Sequence, residues 1–275
     1  MSSVRPVDNG AATRPAPALL SRFDLTGRVA IVTGGHGVLA EAIAGALAEL
    51  GCSVTLAARH LDQCEDLAHR LETAYGVRTM ALPVDVSDEG DVERLVSTVN
   101  DELGGVDVVV NSAATFWAAA PEDVPTARGW RRVLDVNLTG SFLVCRAAGR
   151  LMLAQGRGSI INVSSVGGLM SYLPEVGSTL SYTTTKGALI NLTRDLASQW
   201  ADRGVRVNAI APGSIDGGMT HTIPDDRQER LLALIPMRRF GRPDELQGAV
   251  AYLASDASSY VTGTVMVIDG GQTIV

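Results

Sequence analysis

The chain has 275 residues, of which 46% are hydrophobic and 19% charged, a composition that buries a full core and excludes wholesale disorder. A formal net charge of -7 speaks against a nucleic-acid surface, which needs clustered Lys and Arg. The three cysteines, Cys52, Cys64 and Cys145, have neither paired spacing nor histidines at metal-ligand spacing, so they read as buried, reduced thiols and no metal site is expected.

Residues 1–22 are rich in Ala, Pro and polar residues and hold no apolar stretch of signal-peptide length, which predicts a flexible N-terminal tail. No later apolar run approaches the ~18 residues needed to span a membrane, so a soluble, cytoplasmic protein without a membrane partner is expected. From residue 28 onward, short apolar runs alternate with segments of helical period. Strands are predicted at 29–33, 53–58, 79–84, 106–111, 159–164, 206–211 and 264–269. Helices are predicted at 39–50, 61–74 and 88–103, then in a long segment ending near Gln155, and at 182–203 and 243–254. Continuously apolar strands such as VAIVT and VDVVV suit a sheet covered by helices on both faces. Alternating β and α with right-handed crossovers then gives a parallel, doubly wound α/β sandwich of about seven strands. No linker divides it, so residues 23–275 form one domain.

In such a sheet, ligands sit at the carboxyl ends of the strands near the switch point. The first strand runs into Thr33-Gly34-Gly35-His36-Gly37-Val38-Leu39-Ala40, followed by a helical segment. Glycines there let the backbone approach a pyrophosphate, and the helix N-terminus supplies free N–H groups. The loop therefore predicts dinucleotide binding, with His36 bordering the same phosphate. The second strand ends in Ala58-Arg59. An acidic residue at that tip would accept hydrogen bonds from the adenosine 2′-hydroxyl of NAD; Arg59 instead suits the 2′-phosphate of NADP.

Tyr182 and Lys186 stand four apart on a predicted helix and share a face. A neighbouring ammonium lowers the pKa of a phenol from its ordinary value of about 10 toward working pH, which suits general acid/base duty. Tyr172 has no such partner, because Val176 follows it at that spacing.

Taken in order, these motifs resemble the classical short-chain dehydrogenase/reductase family from about Leu25 to Gly271. The glycine loop corresponds to Thr33–Ala40, the family's adenine-pocket Asp to Asp85 in PVDVSD with Val86 beside it, and its NNAG segment to Asn111-Ser112-Ala113-Ala114. DVNLTG carries Asn137, INVSS carries Ser165, YTTTK carries Tyr182 and Lys186, and RVNAIAPG carries Pro212 and Gly213, with Ile215 just beyond. The resemblance implies a Rossmann-type fold and an NAD(P)-dependent oxidoreductase that moves a hydride between nicotinamide and a ketone or secondary alcohol. In reduction, Ser165 would hold the substrate oxygen while Tyr182 donates the proton. Lys186 would bind the ribose hydroxyls, and Asn137 would hold a water linking the lysine to solvent. Asn137 as a support for a helix irregularity, and Ser164 as the working serine, are the competing readings.

Four departures from the family pattern stand out. Val38 and Ala40 replace loop glycines, leaving Gly37 as a candidate for the permissive backbone position. Ala114 replaces the last Gly of NNAG. Gly217 stands where the family often has a Thr that contacts the nicotinamide carboxamide; either Thr220 compensates or the contact is absent. Seventeen positions separate Ser165 from Tyr182, a longer gap than usual. That insert, with Leu169 and Tyr172, is expected to wall the substrate pocket together with Phe116, Trp117 and the 215–236 segment, which includes Met219. A sugar acid, a β-ketoacyl thioester, a polyketide-like ketone and a steroid-like alcohol all remain open as substrates.

NADPH-dependent carbonyl reduction is the expected activity. NAD-dependent oxidation of an alcohol such as a sugar acid or polyol, or a catalytically silent dinucleotide sensor, stand as alternatives. A hydrolase finds little support, because no G-x-S-x-G elbow occurs and only His221 follows Ser165. Apolar positions on the two long central helices exceed what one sheet face needs, and the family pairs these helices between subunits, so a homo-oligomer, a tetramer or a dimer, is expected.

Overall fold

The computed structural model describes residues 18–172, 178–217 and 220–275. The chain builds seven parallel strands: β1 (Val29–Thr33), β2 (Ser53–Ala58), β3 (Thr79–Pro83), β4 (Val108–Asn111), β5 (Gly158–Val163), β6 (Val205–Pro212) and β7 (Val265–Ile268). Their order across the sheet is β3-β2-β1-β4-β5-β6-β7. The direction of winding reverses between β1 and β4, and a cleft opens there at the carboxyl ends of the strands.

Seven α-helices cover the faces among the described residues: α1 (Val38–Glu49), α2 (Leu61–Tyr75), α3 (Glu89–Leu103), α4 (Gly140–Gln155), α5 (Leu180–Trp200), α6 (Asp225–Ala233) and α7 (Gln247–Ala254). Helices α1, α2 and α7 pack on one face around Ile43, Leu47, Leu56 and Leu253. Helices α3, α4 and α5 pack on the other around Ile31, Leu95, Val144 and Ile160. Every residue of β1 is buried, as its uninterrupted apolar run requires when both faces are covered. Each such fully buried aliphatic side chain contributes roughly 1.5–3 kcal/mol, and together they fix the strand ends from which the site is built.

Three features differ from the sequence expectation. Leu19–Arg22, assigned to the tail, form one 3₁₀ turn, while residues 1–17 lie outside the described residues. The 215–236 segment contains α6, whose sequence DDRQERLLA buries only Leu231. Ahead of α4 the helix is wound irregularly, with Thr126–Arg131 and Asp135–Thr139 in π-helical turns.

Candidate active site

A cleft of about 540 Å³ opens at the switch point, lined among others by Gly34, His36, Arg59, Asp85, Val86, Ala113 and Arg132. Its floor is the turn from β1 to α1. Gly34 takes the left-handed conformation there, at φ 70°, and a Cβ on it would stand 2.9 Å from the backbone of Ala113. Gly37, the expected permissive position, is ordinary extended backbone at φ -80° and serves as the N-cap of α1. The reason is that the left-handed turn falls three residues earlier, at Gly34, whose carbonyl accepts from the His36 and Gly37 N–H groups. Val38 therefore starts the helix without strain.

Gly37 has no side chain to cap α1, so the first N–H groups of that helix are left for an anion. By contrast, Asp88 caps α3 by accepting from the Asp91 N–H. Leu39 is half-buried and packs into the core beneath the turn. At the far end of the cleft, the Asp85 carboxyl is held below its ordinary value. Burial works to raise it, but hydrogen bonds from Ser87 and the charges of Arg132 and Arg59 outweigh that cost. Arg132 pairs with Asp85 at 3.6 Å, whereas Arg59 makes no ion pair among the described residues. Burial, with His60 and Arg59 nearby, lowers the pKa of His36, and the His36 and His60 rings meet edge to face 5.4 Å apart. Arg132 was not anticipated from the sequence; its only signal is its helical register with Val136, another residue of the cleft wall.

The donor set fits a dinucleotide: an uncapped helix N-terminus beside the glycine turn for the pyrophosphate, Asp85 and Val86 for the adenine end, and an unpaired guanidinium at the tip of β2. Two expected cofactor contacts are placed elsewhere. Asn111 at the end of β4 turns its side chain inward, donating to Asn162 Oδ1 at 2.9 Å and Cys145 Sγ at 3.2 Å, so it props the strands rather than facing the cleft. Ile215 is buried and lines a second, smaller cavity with Met237, Gly241 and Ile268. Pro212 closes β6 opposite Ile268, and the Gly213 N–H donates to the Ile268 carbonyl. All three cysteines are buried and unbridged, and burial pushes the Cys145 thiol up to about 12.

The end of β5 and the start of α5 bring the expected catalytic group together. Ser164 is buried and spends its hydroxyl on the Lys186 carbonyl at 2.8 Å, which ties strand to helix and leaves Ser165 as the candidate serine. Ser165 Oγ accepts the Gly167 N–H at 3.1 Å in the turn Val166–Gly168. Lys186 is 2% exposed, donates to the Val163 carbonyl at 2.6 Å, and stands 5.4 Å from the centre of the Tyr182 ring.

The electrostatics depart from the sequence expectation. Burial pushes the Tyr182 phenol up to about 12, against the pull of Ser165, and brings the Lys186 ammonium down to about 8. The lysine does not lower the phenol here, because its ammonium is committed to Val163 and faces the ring instead of the hydroxyl. Asn137, inside the π-wound turn, is likewise fully engaged. Its amide donates to the Thr115 carbonyl and to Thr185 Oγ1, and its oxygen accepts the Thr115 N–H. It clamps the cleft wall to α5.

Around the substrate side, Trp117 packs over Gly129, and Leu169 is exposed. Met219 and residues 173–177 of the insert lie outside the described residues. Thr220 donates to the carbonyls of Ile215 and Gly217, so its hydroxyl hydrogen pins a turn. Gly217 has φ 102°, and a Cβ there would stand 3.2 Å from the Val38 side chain. Two of the departures from the family pattern thus meet across the groove. Tyr172, passed over for want of a lysine four residues on, has its ring against Gly167 in the turn after Ser165.

A protein-family model described as enoyl-(acyl carrier protein) reductase matches residues 36–273. The probable NADP-dependent mannitol dehydrogenase of Yarrowia lipolytica is 35% identical over 254 residues, which is 92% of this chain and 90% of its own length. The cis-4-hydroxycyclohexanecarboxylate dehydrogenase of Sinomonas cyclohexanicum is 38% identical over 248 residues, covering 90% of this chain and 97% of its own. Among solved structures, a short-chain type dehydrogenase/reductase from Mycobacterium marinum is 36% identical with a TM-score of 0.86, covering 94% of this chain and 100% of that one. The chain belongs to the classical short-chain dehydrogenase/reductase family. It is an NAD(P)-dependent oxidoreductase that moves a hydride between a nicotinamide and a ketone or secondary alcohol.

Proposed function

We propose that the chain is an NADPH-dependent carbonyl reductase with Tyr182 as general acid. The observation that carries the cofactor choice is Arg59 at the tip of β2, unpaired beside a carboxylate already satisfied by Ser87 and Arg132. A guanidinium there recognises a 2′-phosphate, and no free carboxylate competes for a 2′-hydroxyl. The bound nicotinamide supplies the hydride. Gly34, His36, Gly37, Val38, Leu39, Asp85, Val86, Ala113, Pro212 and Gly213 frame its groove, with Asn111 and Ile215 supporting the walls.

Within the chain, Ser165 donates a hydrogen bond to the substrate oxygen and Tyr182 passes its proton to that oxygen as negative charge develops. A phenol held protonated by burial is a competent donor across neutral pH. Lys186 supplies a buried positive charge beside the developing phenolate and, on cofactor binding, a donor for the ribose hydroxyls. Asn137 positions α5 against the cleft wall. The substrate class is a ketone paired with a hydroxylated or cyclic secondary alcohol, as the names of the mannitol and hydroxycyclohexanecarboxylate dehydrogenases suggest. Residues 23–275 act as the single catalytic domain with residues 1–22 as an appended tail, and the protein works in the cytoplasm. No helix of the described residues is long and apolar enough to cross a membrane.

The test follows NADPH and NADH oxidation with a panel of polyol-derived and cyclic ketones, using wild type, Tyr182→Phe and Arg59→Ala. Tyr182→Phe should lose about 10²–10⁴-fold in kcat. Arg59→Ala should weaken NADPH binding, read by fluorescence titration, while NADH binding stays the same. Wild-type rates in Tyr182→Phe rule out the mechanism, and equal loss of both cofactors rules out the 2′-phosphate role.

A further inference from the structure

Tyr182 is the third residue of α5, and Thr179 at the N-cap makes no side-chain hydrogen bond to that first turn. The first N–H groups of a helix lack intrahelical partners, so an uncapped end frays. The three threonines that follow are poor helix formers, and propensity does not explain the run. Thr183 turns back to the carbonyls of Thr179 and Leu180, and Thr184 is exposed. Thr185 is buried. We propose that Thr185 is a positioning residue for the reaction, its hydroxyl tying the turn that carries Tyr182 to the wall of the dinucleotide cleft. The inference rests on the role given above to Tyr182.

The tie is a chain of hydrogen bonds that runs in one direction. Thr115 lines the cleft. Its N–H donates to Asn137 Oδ1 at 2.8 Å and its carbonyl accepts from Asn137 Nδ2 at 2.9 Å, which fixes the orientation of that amide. Asn137 Nδ2 also donates to Thr185 Oγ1 at 3.1 Å. Thr185 in turn gives its one hydrogen to the Tyr182 carbonyl at 2.7 Å. Both amide hydrogens of Asn137 and the hydroxyl hydrogen of Thr185 are thus spent, in a buried place where water does not compete for them.

Without the Thr185 hydroxyl, Asn137 keeps its hold on Thr115, but Tyr182 loses its tie to the wall. Lys186 stays in place, because Ser164 holds its carbonyl from the end of β5 and its ammonium binds the Val163 carbonyl. The loss therefore falls on the placement of the phenol, and a misplacement of even about 1 Å is costly to a reaction between positioned groups.

The experiment compares Thr185→Val, which keeps the shape and loses the hydroxyl, with Thr185→Ser, which keeps the hydroxyl and loses a methyl. Thr185→Val is also placed in a Tyr182→Phe background. Each protein is measured for kcat and KM with NADPH on the best ketone of the panel, for NADPH affinity by fluorescence titration, and for thermal melting. Thr185→Val should lose about five- to tenfold in kcat, the size of one neutral hydrogen bond, with KM and NADPH affinity unchanged. Thr185→Ser should return kcat to near the wild-type value although it melts lower for the lost methyl, so that activity follows the hydroxyl and not stability. Added to Tyr182→Phe, Thr185→Val should cost nothing more, because the group it positions is gone. Thr185→Ala, a better helix former, gives the same comparison should Thr185→Val not fold. Full activity in Thr185→Val overturns the inference. So does a kcat that falls with melting temperature across the variants, or an equal loss in the Tyr182→Phe background, as a merely structural role would give. Full activity in Tyr182→Phe overturns the underlying reading of the site as well. A loss there beside an unaffected Thr185→Val overturns only the inference.

Discussion

Lys186 and Tyr182 share an enclosed corner of the protein, and burial drives both toward neutrality. For the phenol this is useful, since the acid form is the one that reduction consumes. For the lysine it is a stability cost. Its folded pKa of about 8 lies below the ordinary 10.5. Below pH 8 the folded and unfolded chains both carry the charge, and the desolvation cost is present in full. Between about pH 8 and 10.5 the folded lysine gives up its proton first, and the cost is relieved. Lys186→Met should therefore stabilise the protein at pH 7 by about 2 kcal/mol, once a lost hydrogen bond to Val163 of about 1 kcal/mol is set against the desolvation relieved. The gain should shrink as pH rises from 8 to 10. Thermal melts at pH 7 and 9.5 check both the sign and the trend, and turnover should be lost at either pH.

At the scale of elements, the tie between β5 and α5 sets the geometry of the chemistry. Ser164 holds the Lys186 carbonyl from the strand end, so Ser164→Ala should cost about 1 kcal/mol of stability and lower kcat several-fold while NADPH affinity holds. Denaturant titration beside steady-state kinetics reads the two effects separately. The strands were legible in the sequence because each is a short run of apolar, often β-branched residues with both faces covered. The glycine turn and the Tyr182–Lys186 pair were legible because local spacing alone brings their residues together. Helix α6 was not, since its charged sequence buries a single leucine and leaves no apolar period to detect. An irregularity at Asn137 was among the sequence expectations, but its π winding was not, because a π turn is defined by backbone hydrogen bonds that no residue pattern spells out. The inward turn of Asn111 depends on Asn162 and Cys145, distant residues that only the sheet brings beside it.

For the whole molecule, the unfinished surfaces lie on the two central helices and at the last strand. Phe142 on α4 and Leu180 on α5 are 40% and 38% exposed. Strand β7 is a sheet edge on which no residue is buried, and Val267, Ile274 and Val275 present apolar surface around it. Apolar helix faces and an open edge call for cover, and we propose that a second copy of the chain, which about a two-fold axis would offer the same patch in return, provides it. Light scattering at micromolar concentration should accordingly give a multiple of the single-chain mass, and Phe142→Glu should shift it downward. A wild-type monomer under those conditions rules the assembly out.

The meeting of Val38 with Gly217 makes two distant positions one heritable unit. A lone exchange of Gly217 for threonine crowds the valine and strains a backbone that only glycine holds easily. A lone exchange of Val38 for glycine gives up that contact and puts a glycine in the first turn of α1. Each step toward the commoner pattern is thus a loss by itself, and a route between the two patterns has to change both positions together. An engineer grafting this groove onto a relative inherits the same constraint.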